Sequence, residues 1–94
     1  MPSKEFRYVL PPLDESQFPH IPRPSGAKIA CIIDPNGGVA VVGNSSGLQY
    51  LAKYLAAMSM MTNHNGMHVH LDAETGRVDE GSTPIVIRNL DFGG

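Results

Sequence analysis

The sequence predicts an α+β protein: a small antiparallel or mixed sheet in the order β-β-α-β-β, with one main helix on one face. Three observations predict it. Two β-branched runs, AKIACIID and VAVVG, flank a turn cluster; one long segment repeats its apolar residues at three- and four-residue spacing; two more runs, MHVHLD and TPIVIRNL, follow. Ninety-four residues, 41% hydrophobic and 17% charged, suit a globular chain of one domain. The expected division is a proline-rich N-terminal arm, residues 1–26, packed on a single α+β domain, residues 27–94.

Six of the eight prolines (Pro2, Pro11, Pro12, Pro19, Pro22 and Pro24) fall in the arm. Proline removes a backbone donor and fixes φ, so the arm should be extended or irregular. It is no plain linker, because Phe6, Tyr8, Val9, Leu10, Leu13, Phe18 and Ile21 give it apolar surface; Phe6–Leu10 reads as a short strand. The regular part begins at Ala27. AKIACIID runs into Asp34-Pro35-Asn36-Gly37-Gly38, strong turn chemistry, and VAVVG returns, so residues 27–43 read as a β-hairpin. This hairpin is apolar on both faces, and one helix covers only one. The arm, or else a second copy of the chain, is expected over Ala30, Ile32, Ala40 and Val42.

In GNSSGLQYLAKYLAAMSMMTN, Leu48, Leu51, Ala52, Leu55 and Met58 share one helical face, with Leu51 and Leu55 expected against the sheet. Asn44, Ser45 and Ser46 offer N-cap oxygens, and Asn63 or Gly66 can end the helix. Some 17 residues at ~1.5 Å each give a length of about 25 Å. Tyr50, Tyr54, Met60 and Met61 lie partly off the stripe, as peripheral core or as an adaptable contact surface.

The third strand carries the most chemistry. NHNGMHVHLD holds His64, His68 and His70, and His68, His70 and Asp72 alternate with Met67, Val69 and Leu71. On a strand the two sets face opposite sides. The polar set reads either as a metal centre (two imidazoles and a carboxylate, the bare minimum for zinc) or as the wet, partner-contacting face of a half-buried strand. The alternation alone demands the second reading, so no metal and no cofactor are expected. The loop Gly43–Gly47 joins a strand to a helix N-terminus, where free N–H groups favour anions, yet it lacks a Walker-type lysine and spacing. Capping and close strand–helix approach explain it without a ligand.

Composition narrows the function classes. A net charge of −2, with the seven basic residues scattered, leaves no footprint for nucleic acid. Asp72, Glu74, Asp79 and Glu80 cluster around Arg77 alone, a bias toward a basic partner if it is not simply a solvated loop. Cys31 is the one cysteine and sits in an apolar run, which suits an inert thiol in a reducing compartment. The opening residues lack the apolar core of a signal peptide, and no segment nears ~20 apolar residues, so a cytoplasmic protein without membrane contact is expected.

Taken together, GNSSGLQYLAKYLAAM, HVHLD and GSTPIVI resemble the immunity protein 32 family of bacterial polymorphic toxin systems, over roughly residues 39–88. Gly43, Asn44, Gly47 and Leu48 correspond to the family's helix start, and His68, His70, Leu71 and Asp72 to its histidine strand. The arm has no counterpart in the resemblance. The resemblance implies a non-catalytic α+β inhibitor that binds and neutralises a cognate toxin, with no catalytic residue carried over. His64, His68, His70, Asp72 and Glu74 are then the candidate partner-binding residues. Two other classes stand beside it: a small metal-dependent or anion-binding enzyme centred on His68, His70 and Asp72, and a homo-oligomeric scaffold, most simply a homodimer.

Overall fold

The computed structural model describes residues 2–10, 18–61 and 68–92. Its elements follow the expected order: β1 (Ile29–Ile33), β2 (Val39–Gly43), α1 (Ser45–Met60), β3 (His68–Leu71) and β4 (Ile85–Arg88), then a 3₁₀ turn at Leu90–Phe92. The fold is α+β. Its strands form two separate antiparallel ribbons, β1–β2 and β3–β4, in place of one four-stranded sheet.

The hairpin turn explains the first ribbon. Asp34 donates its amide to the Gly38 carbonyl at 2.7 Å and accepts from Gly37 at 2.8 Å, while Gly37 adopts φ 91°, a left-handed angle suited to glycine. Ladder pairing then runs from Ile33 opposite Val39 to Ile29 opposite Gly43. The other edge of β1 is closed by a loop. Asp79 and Thr83 donate their amides to the carbonyls of Ile29 and Cys31, both at 2.8 Å. The amides of Ile29 and Cys31 donate in turn to Asp79 Oδ2 (3.1 Å) and Ser82 Oγ (2.8 Å). Two side-chain oxygens thus stand where a third strand's carbonyls would be, so β3 is not needed beside β1. That is why one expected sheet becomes two ribbons.

Helix α1 starts at Asn44, whose Oδ1 accepts from Gly47 N at 2.9 Å and from Lys28 N at 3.0 Å. Its Nδ2 donates to the Gly26 carbonyl at 2.8 Å, so one side chain ties the helix start to the approach to β1. Gly47 is obligatory for packing: a Cβ there would overlap the Lys28 carbonyl oxygen, and one on Gly43 would lie 2.5 Å from that same atom. The helix ends at Met60, with Met61 extended, before the expected stops Asn63 and Gly66, which lie outside the described residues. Asn89 Nδ2 donates to the Met58 carbonyl at 3.0 Å and so supplies part of the C-terminal cap.

The buried face of α1 differs from the expected one. Gly47, Tyr50, Tyr54, Ala57 and Met58 are buried, whereas Leu48 and Leu55 are 45% and 50% exposed and Leu51 is only partly buried. The stripe is turned by about one residue, ~100° around the axis. Gly47 is the reason, since only that position permits contact with Lys28, and the face containing it continues through Tyr50 and Tyr54. The two tyrosines share a hydroxyl–hydroxyl bond of 3.1 Å, which gives each oxygen a partner and lowers the usual penalty for burying a phenol. Met61 is buried as well, and Met60 is exposed.

Ile21, Ile29, Val69, Leu71 and Val78 complete the core, with Ile85 and Ile87 packed against it from β4. The arm supplies Ile21 to this core and stacks Phe18 on Tyr54, ring centroids 5.6 Å apart. Tyr8 lies 5.4 Å beneath the Lys53 ammonium. No strand forms at Phe6–Leu10, whose backbone has no partner strand. Nor do the described arm residues cover the second hairpin face: Ile32 and Val42 stay about half exposed and Ala40 is exposed. Leu10, Phe18 and Ile21 pack with the core instead, while Phe6 and Val9 stay exposed. Leu13 lies outside the described residues.

Candidate functional site

On β3 the alternation places Val69 and Leu71 inside and His68 and His70 outside, exposed. The two imidazoles meet edge to face at 4.7 Å. Across the ribbon His68 faces Arg88 and His70 faces Val86, and both of these are exposed too. Asp72 does not join them. It turns into the following loop, where its Oδ1 accepts from Thr75 N at 2.8 Å, and this bond holds its carboxyl below the usual carboxylate range. Among the described residues no three His, Cys, Asp or Glu side chains converge on a point that could hold a metal. Glu74 is exposed on the same loop, and His64 lies outside the described residues.

The acidic cluster is largely consumed by the fold. Asp79 is ion-paired with Arg23 and accepts from Ile29 N; the Arg23 hydrogen bond is the main cause of its lowered pKa. Arg23 also donates to the carbonyls of Gly76 and Ala27, each at 2.8 Å. Asp72 and Asp79 thus each serve the local fold, and Glu74 and Glu80 are the exposed acids of the cluster.

At the helix start, Gly43, Asn44 and Gly47 pack and cap as described above. The Asn44 carboxamide occupies the place an anion would take, so this N-terminus offers no ligand site.

The hairpin leaves a cluster of branched side chains exposed. Ile32, Ile33, Val39, Val41 and Val42 are all about half exposed or more, with Val39 at 68%. Because Ile29 and Cys31 turn their backbone groups to the 79–83 loop, Ala30 and Ile32 carry the ladder to Val42 and Ala40. By the same alternation Val39 and Val41 turn their N–H and C=O groups to the outer edge of β2, where no described residue pairs with them. Both apolar faces of this hairpin were visible in the sequence; the open edge was not, because it depends on which side of β1 the loop occupies.

A second feature lies between the arm and the 72–79 loop, where Phe18, Ile21, Arg23, Tyr50, Tyr54 and Arg77 bound a cavity of about 360 Å³. Burial and the Tyr50 hydroxyl push the Tyr54 phenol above its ordinary range, against the opposing pull of Arg77, so this phenol is neutral at physiological pH. Among the described residues, no helix is long and apolar enough to cross a membrane.

Compared with known proteins, the chain matches the family model described as Immunity protein 32 over residues 38–90, which hold β2, α1, β3 and β4 but neither β1 nor the arm. No curated protein and no solved structure matches.

Proposed function

Since this chain belongs to the immunity protein 32 family, whose model spans more than half of it, we propose that it neutralises a cognate toxin by binding it, without chemistry of its own. The observation that carries the binding reading is the β1–β2 hairpin. Exposed branched side chains beside an unpaired strand edge form a surface that an extended segment of another protein can complete by strand addition. The backbone of Val39 and Val41 would supply hydrogen bonds, and Ile32, Ile33 and Val42 the apolar contact. His68, His70, Asp72 and Glu74 are the polar candidates for the same partner, together with His64 of the same sequence segment. The buried thiol of Cys31 suits the reducing cytoplasm, where an inhibitor would protect its own producer.

A second reading is favoured by the same edge: a homodimer joined β2 to β2, making one four-stranded sheet. Mass in solution separates the two. The decisive experiment co-expresses the chain with the toxin-like product of an adjacent reading frame and scores growth and co-purification. Wild type should restore growth and retain the toxin, and Val41→Lys should lose both while its circular dichroism is unchanged. A Val41→Lys chain that protects and co-purifies as wild type does would exclude the hairpin as the contact, and failure of the wild type would exclude the inhibitor reading.

A further inference from the structure

The cavity between the arm and the 72–79 loop has more donors than acceptors. Tyr50 and Tyr54 carry two hydroxyl protons and share one bond of 3.1 Å, so one proton has no acceptor among the described residues. Both tyrosines are 3% exposed and both line the cavity. Arg77 engages one nitrogen with the His70 carbonyl at 3.0 Å and places its guanidinium 5.5 Å from the Tyr54 ring centre. Arg23 is already neutralised by Asp79, which leaves Arg77, with Asp72 near it in the loop, as the cation beside His20, and no carboxylate is among the described lining residues. The loop's own amides are taken, Thr75 N by Asp72 and Gly76 N by Ala73, so no nest of free N–H groups awaits a phosphate. A planar, two-oxygen acceptor matches what remains: one oxygen for a guanidinium N–H and one for a phenol. Phe18 and Ile21 provide apolar wall for a short carbon chain.

We infer that this cavity is a carboxylate site, taking an aliphatic acid whose head meets Arg77 and the tyrosine pair. The acid is either an aspartate or glutamate side chain of the bound toxin, which rests on the function proposed above, or a free small carboxylate. The charge sense is opposite to the one the clustered acids suggest, because Asp72 is taken by Thr75 and Asp79 by Arg23 and Ile29, whereas the hydrogen bond of Arg77 goes to a neutral backbone carbonyl.

Glutarate is the probe, with glutaramide as its uncharged counterpart, chloride at matched ionic strength as the salt control and inorganic phosphate as the competing oxyanion. The chain has three tyrosines and no tryptophan, so tyrosine emission reads the site directly. Glutarate should give a saturable change that glutaramide and chloride do not, and phosphate should bind more weakly. Arg77→Gln, and separately Tyr50→Phe/Tyr54→Phe, should weaken it roughly tenfold or more, the loss expected for a charge-assisted bond. Should Arg77→Gln unfold, Arg77→Lys and the double phenylalanine variant carry the test. Glutarate no better than glutaramide, or variants that bind as wild type does, would overturn the site. Once glutarate binding is established, the double phenylalanine variant in the co-purification assay assigns the source. Lost toxin means that the carboxylate arrives on the toxin, and retained toxin means that it is free. Failure of glutarate to bind leaves the toxin result standing, so the two readings fall separately.

Discussion

The Lys28 carbonyl oxygen is the point where strand, helix and cap converge, and single atoms decide the packing there. Gly47→Ala forces a methyl into backbone that cannot rotate away, and should cost about 2–4 kcal/mol in urea unfolding. Asn44→Ala removes the cap together with the ties to Lys28 and Gly26, and should cost about 1–2 kcal/mol, the upper part of the range for caps. Serine at 44 should recover part of that loss, since it can still accept from Gly47. The acidic pair gives a pH signature. Asp72 and Asp79 both titrate below their ordinary range when folded, so the stability they contribute is present above about pH 4 and is lost as pH falls through the lowered values. A melting-temperature series from pH 6 to about pH 2.5 should therefore slope less steeply at its acid end for Asp79→Asn than for wild type. At this scale the sequence was partly legible. Asn44 as a cap and Gly43 and Gly47 as points of close approach follow from residue type and position. The roles of Asp79 and Ser82 do not, because nothing local shows that side-chain oxygens 50 and 51 residues away will complete a strand edge.

Among the elements, α1 separates hydrophobicity from burial most clearly. Leucine spacing selects the face of Leu48, Leu51 and Leu55, yet the core takes the face of Tyr50, Tyr54 and Ala57. Leu55→Ala should consequently cost less than about 1 kcal/mol, whereas Tyr54→Ala should cost about 3–5 kcal/mol and Met58→Ala about 2–5 kcal/mol. Equal losses at positions 54 and 55 would contradict the observed face. The helix's existence, its start and its one-sided packing were readable from spacing and capping chemistry. Its rotation was not, since it depends on the contact of Gly47 with a backbone carbonyl from another element and on a hydroxyl pair that lowers the penalty of tyrosine burial. Within β3 the strand was readable: a two-residue period with Val69 and Leu71 inside leaves His68 and His70 the outer face, whereas Asp72, expected beside them, lies past the strand end and Met67 is outside the described residues.

Over the whole molecule, the core lies between α1 and the inner side of each ribbon, held together by the arm through Ile21 and by the 79–83 loop. The order of elements and the α+β class were legible because each run has its own period. The split into two ribbons was not, because pairing between β1 and β3 was the simpler topology until the loop took that edge. Ser82→Ala leaves the Cys31 amide without its partner and should cost about 1–3 kcal/mol, checked by urea unfolding, and should speed hydrogen exchange at Cys31. Closure of β1 has a consequence for assembly. A ribbon with two open borders can recruit neighbours without end and grow into a fibre; one with a single open border can be joined only once. Whatever strand settles against Val39 and Val41, from another protein or from a twin, ends the extension of this ribbon by arriving. A surface this apolar can thus stay available for capture without seeding an endless stack along β2, because the far border was sealed by Asp79 and Ser82 when the chain folded.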